Sequence, residues 1–368
     1  MKWSWRAGSL FGISVYIHWT FVILLGWIAL GHLQANGSVW QFVVGVVSIA
    51  VLFGTVLLHE LGHSLMARRY GIQTKDITLL PIGGVARLER MPDKPSQEFW
   101  VAIAGPAVNV VLAIIAGILL IIFGTGIPTD GEIGFRTPPL VQFLLVNIYL
   151  VLFNLLPAFP MDGGRVLRAI LASKLPYAQA TRIAATVGQA MALIFVFAGF
   201  MTGNFMLFFI ALFVWLGAEG EASMAQVKCV LGDARVREAM ITQFRSLSPQ
   251  DALSAAVDDI FSGFQQDFPV VDHMGRIAGI LTYTNLIKAL SESGPRLPVA
   301  NAMSHEFESC GPDDRVEDVL RRMQEKGAMT VAVTENGVLT GLLTHGNVSE
   351  FVMVRSALQQ GRREVRVG

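Results

Sequence analysis

Two histidines four residues apart with a glutamate between them, His59-Glu60-Leu61-Gly62-His63, are the side chains in this sequence best suited to chemistry. On a helix, positions i and i+4 share a face, so both imidazoles can grip one cation. Glu60 stands beside them and can take a proton from a water at that cation. The surrounding segment, from about residue 39 to 67, is apolar. Two packed core histidines with a snorkelling glutamate are the plain alternative. Ionisable groups inside a membrane span are costly and mark function by default, which favours the metal site.

A third ligand is at hand in Asn154-Leu-Leu-Pro157-Ala-Phe-Pro160-Met-Asp162-Gly163-Gly164-Arg165. The two prolines stop a helix, and freed backbone at membrane depth is tolerable only if buried or lining a cavity. Asp162 follows at once, where a carboxylate can reach a metal near the membrane boundary. Two histidines and one carboxylate leave a fourth position for water, which describes a catalytic rather than a structural zinc site, one Zn2+ per chain. Asp162 can equally serve as the N-cap of a helix over 163–174, and the two roles are compatible. Asn109, in Ala104-Gly105-Pro106-Ala107-Val108-Asn109, is a polar group in apolar surroundings that must find a partner. By position it fits helix glue and a site role alike.

The elements that must position these residues are membrane spans. Hydrophobic residues make up 53% of 368, with mean hydropathy +0.53. Residues 1–220 hold 22 of the 56 charged side chains and the last 148 hold 34, so a membrane domain precedes a soluble one. Six spans are predicted, at about 11–33, 39–67, 99–123, 139–156, 181–201 and 203–218. The basic N-terminal residues Lys2 and Arg6 precede an apolar run without a small-x-small cleavage site, which reads as a retained anchor. Basic residues, among them Arg68, Arg69, Arg87, Arg165 and Arg168, collect in one set of loops, with only Arg136 in the other. That places the protein in the cell membrane as a multi-pass chain with both termini cytoplasmic. His18 and His32 fall in the first span and read as interfacial, His18 with a lesser prospect as a further ligand.

Between the second and third spans, β-prone runs flank Gly83-Gly84 and suggest a hairpin, too apolar for a free loop and too short to span. A re-entrant element lining a water-filled cavity would satisfy its backbone and offer an edge to an extended peptide. An amphipathic interfacial loop fits equally. Net charge is zero and no basic block is long, so nucleic acid is not expected as a partner. Cys229 and Cys310 form no metal-ligand spacing.

These residues resemble the site-2 protease family of intramembrane zinc metalloproteases over roughly residues 8–218. His59 to His63 matches its HExxH, and Asp162-Gly163-Gly164 its Asp-Gly motif. The resemblance implies His59, His63 and Asp162 as zinc ligands and Glu60 as general base. It also implies Asn154 and Asn109 as groups that hold the substrate or the oxyanion. The implied substrate is a membrane-anchored protein, such as a transcription regulator or its inhibitor, cut within or near its transmembrane segment.

The remainder is a repeat of about 60 residues. Val236-Arg-Glu-Ala-Met240 echoes Val299-Ala-Asn-Ala-Met303, and Gly279-Ile-Leu-Thr282-Tyr-Thr-Asn285 echoes Gly341-Leu-Leu-Thr344-His-Gly-Asn347. Helices are predicted over 251–262 and 315–327, each followed by two strands joined by a glycine turn. The pattern resembles a tandem pair of cystathionine-β-synthase (CBS) domains, which implies regulation by ATP or another adenine nucleotide near Thr282, Asn285, Thr344 and Asn347, and pairing into a homodimer. Both asparagines replace the aspartate usual in that motif and lack the charge-assisted strength of a carboxylate.

The fold class is therefore a polytopic α-helical membrane protein of about six spans with a re-entrant β-hairpin, plus a soluble α/β tandem CBS domain. Its parts are a metalloprotease domain at 1–220, a linker at 221–233, repeats at 234–292 and 297–355, and a basic tail at 356–368. A transporter would require inverted repeats and several paired intramembrane charges. An inactive scaffold would require replacement of Glu60. Neither feature is seen.

Overall fold

Ile13, Val15 and Ile17 alternate with Ser14, Tyr16 and His18, a period-2 pattern that extends rather than coils the backbone. In the computed structural model they form a strand, β2 (Ile13–His18), within the stretch expected to open a first span. The structure describes residues 3–24, 26, 39–81, 83–92, 94–124, 138–232, 234–263 and 265–367. The rest of the predicted first span, His32 included, lies largely outside them. β2 pairs antiparallel with β1 (Ser4–Leu10) and parallel with β3 (Thr74–Leu80), which pairs antiparallel with β4 (Gly83–Leu88). The expected hairpin is thus half of a four-stranded sheet, in the order β1-β2-β3-β4. Its glycines do not make the turn, which follows Leu80; Gly83 and Gly84 are the first residues of β4. Gly84 is there because the strand passes against a helix, where an added Cβ would lie 2.6 Å from Glu60 Cγ.

The helices of the first compact unit, residues 1–225, are α1 (Val39–Arg69), α2 (Pro95–Phe123), α3 (Pro139–Asn154), α4 (Asp162–Ala172), α5 (Tyr177–Thr202) and α6 (Phe205–Leu231), the last running past the unit's end. Four of them are long and apolar enough to cross a membrane, over Gly45–Arg69, Pro95–Ile122, Tyr177–Thr202 and Phe205–Leu231. α3 is apolar but only 16 residues long, below the roughly 20 needed to cross. Among the described residues, four long helices and one shorter one stand where five of the six spans are expected. α5 and α6 meet at Gly203, which takes the left-handed conformation that caps α5. α6 also overruns the expected linker, since residues 221–231 are helical.

The second unit, residues 226–368, contains two similar halves. The first has α7 (Val236–Ala239), α8 (Leu253–Ser262), β5 (Phe268–Val271), β6 (Ile277–Leu281) and α9 (Tyr283–Ser293). The second has β7 (Glu308–Cys310), α10 (Val316–Lys326), β8 (Thr330–Glu335), β9 (Val338–Thr344) and α11 (His345–Val367). Each half has its own apolar core, one around Phe268, Leu281 and Leu286 and the other around Val319, Met323 and Leu343. Asn336 and Gly337, both at positive φ, turn the chain between β8 and β9. α11 runs through the basic tail as far as Val367.

Candidate metal centre

α1, α2 and α4 bring the predicted ligands together. α1 presents His59 and His63 from one face, with ring centroids 4.8 Å apart. Asp162 is the first residue of α4, and Met161 rather than Asp162 is its N-cap. Its side chain is spent on the histidines instead: Asp162 Oδ2 lies 3.1 Å from both His59 Nε2 and His63 Nε2. The two Nε2 atoms are also 3.1 Å apart. All three residues are buried, and among the described residues they form the one such cluster.

The protons of the two rings are accounted for on the other side. His63 Nδ1–H donates to the Val101 carbonyl at 2.7 Å, and a carbonyl can only accept. His59 Nδ1–H donates to Asn109 Oδ1 at 2.6 Å. In the neutral imidazoles this leaves both Nε2 atoms facing Asp162 with lone pairs. Three such donors converging in a dry site repel one another unless a cation lies among them. A tetrahedral zinc with bonds of about 2.0–2.1 Å spaces its ligands at about 3.3 Å, within a few tenths of what is seen. α2 leaves the room: a Cβ on Gly105 would sit 2.2 Å from His63 Nε2 and 2.7 Å from His59 Nε2. The donor set fits zinc.

Asn109 is fully buried and committed twice, to His59 and, through Nδ2, to Asn147 Oδ1 at 3.1 Å. Asn147 in turn donates to the Phe143 carbonyl at 2.9 Å. Its Oδ1 fixes the ring of His59, a contact that the sequence did not announce. The Asn154 amide donates to Leu150 O one turn back on α3, at 3.0 Å. Glu60 is brought to the cluster, and its Oε2 accepts the backbone N–H of Ala86 on β4 at 3.2 Å. His18 sits at the end of β2 and bonds Thr20 Oγ1 at 2.8 Å, with no part in the cluster.

Sequence reasoning missed Asn147, although a lone asparagine in the apolar run 139–153 is a readable signal. It also missed a buried ion network. Arg168 on α4 is 1% exposed and donates to Glu98 Oε1 on α2 and to Glu221 Oε2 on α6, each at 2.7 Å. Its guanidinium also lies 5.0 Å from the ring centroid of Phe159 and 5.1 Å from that of Tyr177. The helix that begins with Asp162 is thereby tied to α2 and α6. Nothing in the spacing of these three charges along the chain announces that they meet.

In the second unit a cleft of about 1140 Å³ opens between the two halves. Thr282 and Thr344 line it, whereas Asn285 and Asn347 do not. Asn347 is consumed by the fold: its Oδ1 accepts Thr344 N at 2.6 Å and Thr344 Oγ1 at 2.7 Å, and its amide donates to Ala239 O. Asn285 gives its backbone N–H to Thr282 Oγ1, the N-cap of α9. Cys310 is buried, and that burial, with the charge of Asp314, pushes its thiol up to about 11.

Comparison with known proteins agrees with both units. The model of Peptidase family M50 matches residues 47–142 and 131–195, and that of the CBS domain matches 236–292 and 299–354. The zinc metalloprotease MJ0392 of Methanocaldococcus jannaschii is 32% identical over 349 residues, covering 95% of this chain and 96% of that one. Stage IV sporulation protein FB of Bacillus subtilis is 32% identical over 130 residues, 35% of this chain and 41% of that one. Among solved structures, a site-2 protease from Methanocaldococcus jannaschii is 39% identical and covers 60% of this chain and 95% of that chain, with a TM-score of 0.44. A metal-binding triad between apolar helices, together with a zinc metalloprotease relative matched along nearly its whole length, places the chain in peptidase family M50, as a membrane metalloprotease of the site-2 type that carries a tandem CBS pair.

Proposed function

We propose that this protein cuts a membrane-anchored protein within or beside its transmembrane segment, with His59, His63 and Asp162 holding one Zn2+ and Glu60 acting as general base. The observation that carries the reading is the convergence of two imidazole Nε2 atoms and a carboxylate oxygen next to Glu60. When bound, zinc supplies the Lewis acidity that makes water nucleophilic near neutral pH and polarises a carbonyl. Glu60, one residue from His59, takes the proton of the attacking water and returns it to the leaving amine. Asn109 and the Val101 carbonyl keep both imidazoles in the tautomer that points Nε2 inward. α1, α2 and α4, which bury the triad, hold bulk water away from it and strengthen every charge inside.

A substrate helix hides its peptide bonds in i→i−4 hydrogen bonds and must unwind before it is cut. β4, the last strand of its sheet, supports an extended substrate by offering backbone groups beside Glu60. The excess of basic residues in one set of loops puts both termini and the CBS pair in the cytoplasm. There the cleft between the CBS halves takes an adenosine-containing effector that sets the protease's activity.

The test is Glu60→Gln. Membrane-bound fragments of the substrate should appear with wild type and vanish with the variant, while metal analysis finds about one zinc in each. A variant that still cleaves removes Glu60 from the chemistry, and wild-type protein without zinc removes the whole account.

A further inference from the structure

The cleft of the second unit is built against polyphosphate. Asp259, Asp267, Glu306 and Glu308 line it, and among the described lining residues the sole Arg or Lys is Arg245. Arg245 is already near an acid, with its Nε 3.9 Å from Asp259 Oδ1. Glu308 is paired with Lys326, which leaves Asp267 and Glu306 as the uncompensated charges. A phosphate chain entering this space would meet four carboxylates against one guanidinium, a net negative charge.

The backbone tells the same story independently. The starts of α9 and α11 both face the cleft, and helix starts are where phosphates are normally seated. At α9 the place is taken: Asp267 Oδ1 accepts the Tyr283 N–H at 2.9 Å, and Oδ2 accepts Thr330 Oγ1 at 2.6 Å. Asp267 belongs to the first half and Thr330 to the second, so this carboxylate also fastens the halves across the cleft. At α11, Thr344 gives its N–H and its hydroxyl to Asn347 Oδ1. At each start the protein's own oxygens therefore hold donors that an anion would otherwise take.

We infer that the cleft selects nucleosides whose 5′ substituent is neutral or cationic and rejects nucleoside polyphosphates, with Asp267 as the specificity-determining residue. The inference rests on reading the cleft as an adenosine site. A sulfonium or amine at the 5′ position would face Asp267 and Glu306, where a triphosphate is repelled. Cleft volume is not what excludes ATP, since about 1140 Å³ exceeds the space a drug-sized ligand needs.

Equilibrium dialysis of the full-length protein in detergent with labelled adenosine provides the test, using unlabelled adenosine, S-adenosylmethionine, and ATP with and without Mg2+ as competitors. Adenosine and S-adenosylmethionine should compete at similar concentrations, and ATP should require at least tenfold more in both forms. Asp267→Asn should narrow that gap at least threefold while the protein's melting temperature reports that the halves stay joined. ATP competing as well as adenosine overturns the ligand class but leaves the adenosine site standing, and wild-type protein alone decides this. An unchanged gap in a folded Asp267→Asn overturns the role of Asp267. No saturable binding of adenosine overturns the adenosine reading itself, and this inference with it.

Discussion

The backbone N–H of Ala86 donates to Glu60 Oε2 at 3.2 Å, which fastens the acid between the two histidines to the last strand of the sheet. Ala86 stands opposite Ile77 in β3, yet its N–H points away from that neighbour, so the free edge of β4 is the edge that meets Glu60. Gly84, two residues earlier and on the same side by the strand's period of two, lets the strand come that close. Acid and edge strand act as one piece.

Val85 lies between them, opposite Thr78, and faces the other way. Val85→Pro removes a donor to β3 and fixes φ, which distorts β4 without touching a ligand. Cleavage of a membrane substrate should fall at least about tenfold, while zinc content stays at the wild-type level. Equal cleavage rates would show that β4 does not hold the substrate.

Asn109→Ala leaves the Nδ1–H of His59 unpaired in a buried site. Loss of such a partner typically costs about 10–100-fold in metal affinity. The expected result is faster loss of zinc to a chelator, followed in a competition titration, with helix content unchanged. Zinc retention equal to wild type would remove Asn109 as the group that orients His59.

Gly105→Ala puts a methyl group 2.2 Å from His63 Nε2 unless α2 shifts. Overpacking of this kind costs about 1–3 kcal/mol, which corresponds to roughly tenfold or more at the metal. Zinc stoichiometry after purification should drop below one. The suitable control is Gly203→Ala at the α5–α6 turn, where nothing lies within 4 Å and the left-handed φ alone is strained.

Arg168→Met strands Glu98 and Glu221 without a counter-charge. Breaking a buried pair on one side costs about 3–5 kcal/mol, whereas replacing all of its members with neutral groups is often close to neutral. Thermal inactivation in detergent should therefore move sharply downward in Arg168→Met and recover most of the loss when Glu98→Gln and Glu221→Gln are added. A single variant as stable as wild type would mean that the network does not anchor α4.

Much of the site could be read along the chain because its rules are local. His59 and His63 share a helix face at any i, i+4 spacing, and Asp162 follows two prolines that must end a helix. The CBS repeat declares itself by Gly279 to Asn285 echoing Gly341 to Asn347. Strands β1 and β2 were harder, since Ile13 to His18 is apolar enough to pass for the start of a span, and only pairing with β3, about 60 residues onward, settles it. Hydropathy over a window cannot see that partner.

Residue types and spacing alone determined that two imidazoles and a carboxylate were available, that apolar helices would carry them, and that a tandem repeat would follow. The tertiary structure decided the rest: that Asn109 meets the ring of His59, that Gly105 leaves space beside both imidazoles, that Arg168 finds Glu98 and Glu221, and that Asp267 already occupies the start of α9. Each of these is an encounter between elements far apart in the chain, and a sequence states a group's chemistry without stating which lone pair or proton it will meet.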